Sequence, residues 1–201
     1  MRIIRSATEA EVVAAFLRGE LESSRWRDRL LALLREDDAD ASIVGNPRLD
    51  DARENDYRAA LLDRHRGWLR RKGLFDGLPE RIDWSRAALA PEDVLAIDYI
   101  DWDWWLTLSD GTRRPLDAAA RIRANEIAGV TAEEHEPIAA RLRSPEPPAE
   151  LIAVALPDLS RLVAVEGHVR LTAYALYPEY LPEELEIFLG TAPDIERWSE
   201  F

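Results

Sequence analysis

The residues best suited to chemistry sit together near the end of the chain. There Leu162-Val163-Ala164-Val165 runs into Glu166-Gly167-His168-Val169-Arg170 and then Leu171-Thr172-Ala173-Tyr174-Ala175-Leu176. The pattern is an apolar strand, a glycine turn carrying polar groups, and a helix start. A strand that ends in glycine and opens a helix presents unpaired backbone N–H groups and the positive end of the helix dipole. Beside an arginine, these favour an anion, phosphate above all. Each residue also has a plainer reading. His168 can be a turn histidine that bonds its own neighbourhood, Arg170 can pair with Glu166 or a surface carboxylate, and Glu166 can be a solvated acid.

Two further groups carry polar or aromatic chemistry. Arg64, His65, Arg66, Arg70, Arg71 and Lys72 form a basic island in which Arg66 and Arg70 share a helix face. It would collect an anion or dock on the acidic remainder of the molecule, and internal or subunit docking is the favoured reading. Trp102, Trp104 and Trp105 would stack a base or sugar, or serve as core; in a strand, alternation sets Trp102 and Trp104 on one side and Trp105 on the other. His65 and His135 are isolated, without HExxH or carboxylate–histidine spacing, so no metal site is expected.

Composition bounds the reading. The 201 residues suffice for one domain, or one with an extension. With 39 acidic against 26 basic side chains and a formal charge of -13, the protein repels phosphate polymers, and nucleic acid is not an expected partner. The absence of cysteine rules out a disulfide framework, a thiolate zinc site and a cysteine nucleophile from this chain. Lys72 is the single lysine and no GxxxxGK run occurs, which argues against a Schiff base or a Walker-type loop. No apolar run has the length of a signal peptide or a membrane span. The expectation is a cytoplasmic protein without a membrane partner.

The elements that would position the turn follow from periodicity and punctuation. Residues 7 to 35 read as a helical hairpin broken near Gly19, and residues 50 to 71 as another helix. Residues 73 to 91 read as an ordered loop punctuated by Gly73, Gly77, Pro79 and Pro91. The apolar and aromatic stretch from Val94 to Leu108 reads as one or two strands. Helices are expected from Pro115 to about Asn125 and from Ala132 to Leu142, followed by the stiff connector Ser144-Pro145-Glu146-Pro147-Pro148. Strands at 151–156 and 161–165 are too close for a crossover and predict an antiparallel hairpin. A helix from Arg170 to about Tyr177 and a strand at 185–190 follow. The expected fold is α+β, with a small mixed or antiparallel sheet core at 94–201 and a helical extension with a loop at 1–93.

This order resembles the ParB and sulfiredoxin-like superfamily, whose signature is a hydrophobic strand entering a Gly-x-x-Arg turn and a helix. Here that is Val165-Glu166-Gly167-His168-Val169-Arg170 with Ala173 following, within a likeness spanning about residues 94 to 190. The resemblance implies that the Gly167 backbone approaches a phosphate, that Arg170 clamps it, and that His168 bonds or protonates an oxygen. Thr172 joins this phosphate-binding set, and Glu166 and His168 are the catalytic candidates, Glu166 orienting an acceptor hydroxyl. Val169 stands where many relatives carry a second polar residue. Without a cysteine at position 168 the thiol route to sulfinic acid reduction is excluded. The chain ends about 11 residues past its final strand, without a DNA-reading domain, so a partition role is not expected. What the resemblance implies is a phosphate- or nucleotide-binding domain with ATP, ADP or CTP as ligand, and magnesium if the ligand is a di- or triphosphate. If it is an enzyme, it is a phosphotransferase or nucleotide hydrolase. The alternatives are a non-catalytic interaction or regulatory module, with a protein partner or a second copy on the helical first 70 residues, and a small-molecule kinase of the free-amino-acid type.

Overall fold

The inner strands of the sheet are two-faced, and the two faces carry different side chains. In the computed structural model, which describes residues 1–201, five strands form one sheet: β1 (Arg2–Ser6), β2 (Asp83–Leu89), β3 (Ile152–Ala155), β4 (Leu162–Glu166) and β5 (Leu185–Thr191). Their spatial order is β1-β2-β5-β3-β4; β3 runs parallel to β5 and every other neighbouring pair is antiparallel. The fold is therefore α+β with a mixed sheet, and β3 and β4 form the expected hairpin.

Because side chains alternate along a strand, Ile152, Val154, Val163, Val165 and Phe188 point to one face and Ala153, Ala155, Ala164, Ile187 and Leu189 to the other. The first face is covered by α1 (Glu9–Glu22), α2 (Arg27–Glu36) and α4 (Ala52–Arg66), with the short α3 (Ser42–Gly45) between the last two. Thr8 starts α1 with a capping box to Glu11, Asp51 caps α4, and Gly67 ends α4 at a left-handed φ of 90°. The second, alanine-lined face lets helices approach closely. It carries α5 (Pro91–Leu95), α7 (Pro115–Arg123) and α9 (His168–Leu176), with α6 (Asp103–Ser109) and α8 (Glu136–Ala140) alongside.

Several local readings need correction. Residues 1–93 are not helix and loop alone, since they supply β1 and β2, and the sheet runs across the expected division at residue 93. The first strand exposes all five of its residues and so has no alternation to read. The stretch from Val94 to Leu108 is not strand. Pro91, Glu92 and Asp93 start a helix that runs to Leu95, Asp98 makes an isolated bridge to Val163, and Asp103 opens α6. The helix expected over 132–142 shortens to Glu136–Ala140 because Pro137, lacking an N–H, fits only its first turn.

The helical layer and the sheet share one core. Phe75 is fully buried, edge-on to Phe16 at 5.5 Å and to Trp68 at 4.8 Å. Phe75→Ala is expected to lower stability by about 3–5 kcal/mol with a single transition in urea monitored by both fluorescence and circular dichroism. Two separated transitions would show that the N-terminal helices fold apart from the sheet.

Candidate functional site

The corner between β4 and α9 is held by backbone geometry before any ligand is considered. Gly167 has a φ of 102°, and a Cβ there would lie 2.3 Å from Leu151 Cδ2, so only glycine fits. As N-cap it offers no side chain to α9, and the N–H groups of the first turn have no intrahelical acceptor. Just before it, Ile152 pairs with Glu166 while Ala153 pairs with Ala164, so Val165 is the extra residue of a bulge. Bulges re-aim side chains. This one directs Glu166 toward α1, where a Cβ on Gly19 would stand 2.8 Å from its Oε1.

Arg170 is buried, and its guanidinium is committed to protein acceptors. It donates to the carbonyl of Ala149, to the carbonyl of Glu150 at 3.4 Å and to Glu166 Oε1 at 2.9 Å. Arg170 therefore pairs with Glu166 and ties the connector before β3 to the corner, and is not a free clamp. Burial raises the Glu166 carboxyl above its ordinary range, with the neighbouring charge of Glu20 adding to the effect and Arg170 and Arg66 opposing it.

His168 also bonds its own neighbourhood. Its Nε2 lies 3.1 Å from the Ala164 carbonyl oxygen and so carries the hydrogen and donates, which leaves Nδ1 as an acceptor. The ring stacks on Trp105 at 5.1 Å, and Trp105 stacks on Tyr99 at 4.8 Å. Burial, with Arg66 and Arg170 nearby, pushes the imidazole down to about 3, so at neutral pH it is uncharged and supplies no imidazolium proton. Thr172 does not reach the site. It is buried one turn into α9, donating to the His168 carbonyl at 3.0 Å and so accepting from the Tyr99 hydroxyl at 2.7 Å.

Beside this corner lies a cavity of about 510 Å³, bordered by Glu166, Gly167, His168, Val169 and Arg170. Its other walls come from the end of α1, the α1–α2 link, the last residue of α4, α6 with the residue before it, and α8 with the turn after it. They bring in Glu20, Glu22, Arg25, Trp26, Arg66, Arg141 and all three tryptophans of positions 102–105. Glu20 is a buried carboxylate that accepts from His65 Nε2 at 2.8 Å and Arg66 at 2.7 Å. Arg66 also lies 4.2 Å from the Trp26 ring centre. The basic island thus docks internally: Arg66 on Glu20, Arg64 on Asp37, Arg70 on Asp63 and Arg71 over Trp68. Its contribution to the cavity, like that of Glu20 and Trp26, was not expected. The only local signal was a glutamate on the apolar side of α1.

The cavity carboxylates are engaged by arginines. Glu20, Glu22 and Glu166 each accept from an arginine, and no three acidic or histidine side chains converge on a common point anywhere in the chain. No helix is long and apolar enough to cross a membrane. Neither family models, nor curated proteins, nor solved structures give a match to this chain.

The buried neutral imidazole has a pH signature. Unfolding exposes His168 to its ordinary value of 6.5 while the folded value is about 3. The unfolded chain therefore binds the extra proton between them. Its contribution to stability is complete above 6.5 and is lost as pH falls toward 3, with a slope of up to about 1.4 kcal/mol per pH unit. In His168→Gln the dependence of unfolding free energy on pH from 6.5 down to about 4 is expected to become shallower by about one proton. An unchanged slope in urea titrations would contradict the neutral assignment.

Proposed function

We propose that this chain binds a phosphorylated small molecule, of the nucleotide class, in the cavity beside the start of α9, as a member of the ParB and sulfiredoxin-like superfamily. The observation that carries the reading is the coincidence of three features on one 510 Å³ cavity: the glycine corner, the open first turn of α9, and walls of tryptophan and arginine. That volume falls in the range of about 300–1,000 Å³ usual for small-molecule sites. An anion at the first turn of α9 would meet backbone N–H donors and the positive end of the helix dipole. Gly167 itself borders the cavity, and the exposed indoles of Trp102 and Trp104 offer apolar surface to the remainder of the guest.

The geometry favours recognition over turnover. Arg170 and Glu166 neutralise one another, and His168 is uncharged with one nitrogen engaged by the backbone. In this reading the pair fixes the corner so that the donors of α9 stand ready before binding, which lowers the ordering cost of association.

Val169 is half-exposed in the first turn of α9 and borders the cavity, so a carboxylate there repels an anionic guest while suiting the helix dipole. Calorimetric titration with AMP, ADP, ATP and CTP is expected to show binding of at least one by the wild type, weakened about tenfold or more in Val169→Glu. Silence of the folded wild type toward all four would overturn the proposal.

A further inference from the structure

The charges around the cavity bear on how many phosphate groups its guest can carry. Four arginines border it, and three already have carboxylate partners: Arg66 with Glu20 at 2.7 Å, Arg141 with Glu22 at 2.8 Å and Arg170 with Glu166 at 2.9 Å. Arg25 has none. It is exposed, its guanidinium 4.8 Å from the Trp26 ring centre, and it forms no ion pair. The remaining free charge of a cavity set in a chain of formal charge -13 is thus a single cation. A second phosphate would meet Glu20, Glu22 and Glu166 without a further unpaired arginine to answer it.

The tryptophans sort in the same way. Trp105 is stacked between Tyr99 and His168, and Trp26 lies under two guanidinium groups. Trp102 and Trp104 also border the cavity, but they are 41% and 44% exposed and have neither an aromatic nor a cationic partner. Two bare indoles beside a cavity are a surface for a flat ring, which gains both apolar burial and stacking there.

We infer that the cavity takes a flat heteroaromatic ring carrying one compact anionic group, a nucleoside monophosphate and not a polyphosphate, with the ring on Trp102 and Trp104 and the anion answered by Arg25. This rests on the cavity being the binding site, as proposed above, and adds the charge of the guest and the residues that choose it.

The test compares adenosine, AMP and ATP in magnesium-free buffer by calorimetry, with wild type, Arg25→Gln and the double variant Trp102→Ala/Trp104→Ala. All three substituted side chains are exposed, and retention of fold is checked by circular dichroism. AMP is expected to bind at least as tightly as ATP. Arg25→Gln should weaken AMP about tenfold with adenosine unchanged, and the double tryptophan variant should weaken both about tenfold. ATP binding tenfold tighter than AMP, or AMP binding indifferent to Arg25→Gln, would overturn this inference while leaving the nucleotide reading intact. Absence of binding by all three would overturn this inference, and silence toward ADP and CTP as well would overturn the nucleotide reading.

Discussion

A buried guanidinium must have its charge and its hydrogens answered, and the structure around the site is arranged to answer those of Arg170. Its acceptors are a carboxylate at the end of β4 and two carbonyls of the connector that enters β3. Leaving either partner of such a pair buried alone costs about 3–5 kcal/mol, so the pair, once formed, fixes the register of whatever carries it. Here it carries the strand bulge, the glycine corner and the first turn of α9. Glu150 extends the constraint. Its carboxylate takes Arg18 from α1 and Arg86 from β2 while its carbonyl takes Arg170. Three layers of the fold thus meet at one short connector.

The division of the sheet into a bulky face and an alanine face, which follows from strand alternation, sets the two helical layers that border the cavity. On the bulky face the helices stand off, and α1 ends in a buried glutamate whose charge is met by His65 and Arg66. On the alanine face α9 lies close to the sheet, its first turn opening beside the end of α1. The space left between them is walled by the end of α1 and the α1–α2 link, by Arg66 and Arg141, by Trp102, Trp104 and Trp105, and by residues 165–170. Because the charged residues at its back are paired with one another, the polar groups still free to meet a guest are few, and selectivity would come from them and from the indoles.

Legibility in the sequence tracked how local the physical cause was. The strands β3 and β4 could be read because each is a short apolar run, and the corner and α9 because a glycine punctuates the chain between β4 and the apolar residues of the helix. β1 escaped because an edge strand exposed at every residue has no period, and β2 because Arg86 interrupts its pattern to pair with Glu150 and Glu186. The tryptophan segment read as strand from the β-preference of its aromatics, whereas Asp103 in the first turn and the left-handed Asp110 after the last make it a helix. Of the expected site residues, Glu166, Gly167, His168 and Arg170 do border one cavity, and Thr172 faces the interior instead. Glu20, Arg25 and Trp26 were illegible as site residues, and Arg66 was legible only as part of a basic island, because only the tertiary fold brings positions some hundred residues apart to the same wall. The mutual engagement of Glu166 and Arg170 was legible as a four-residue spacing, but its burial, which decides its role, was not.

In the proposed site the first turn of α9 would receive the anionic part of a guest. The most direct measurement is amide chemical shift in an isotope-labelled sample during titration with AMP. The account predicts that the largest shifts fall on the backbone N–H groups of Gly167, His168 and Val169, with accompanying shifts of the Trp102 and Trp104 indole N–H groups. Shifts confined to other surfaces, with these amides unmoved at saturation, would contradict it.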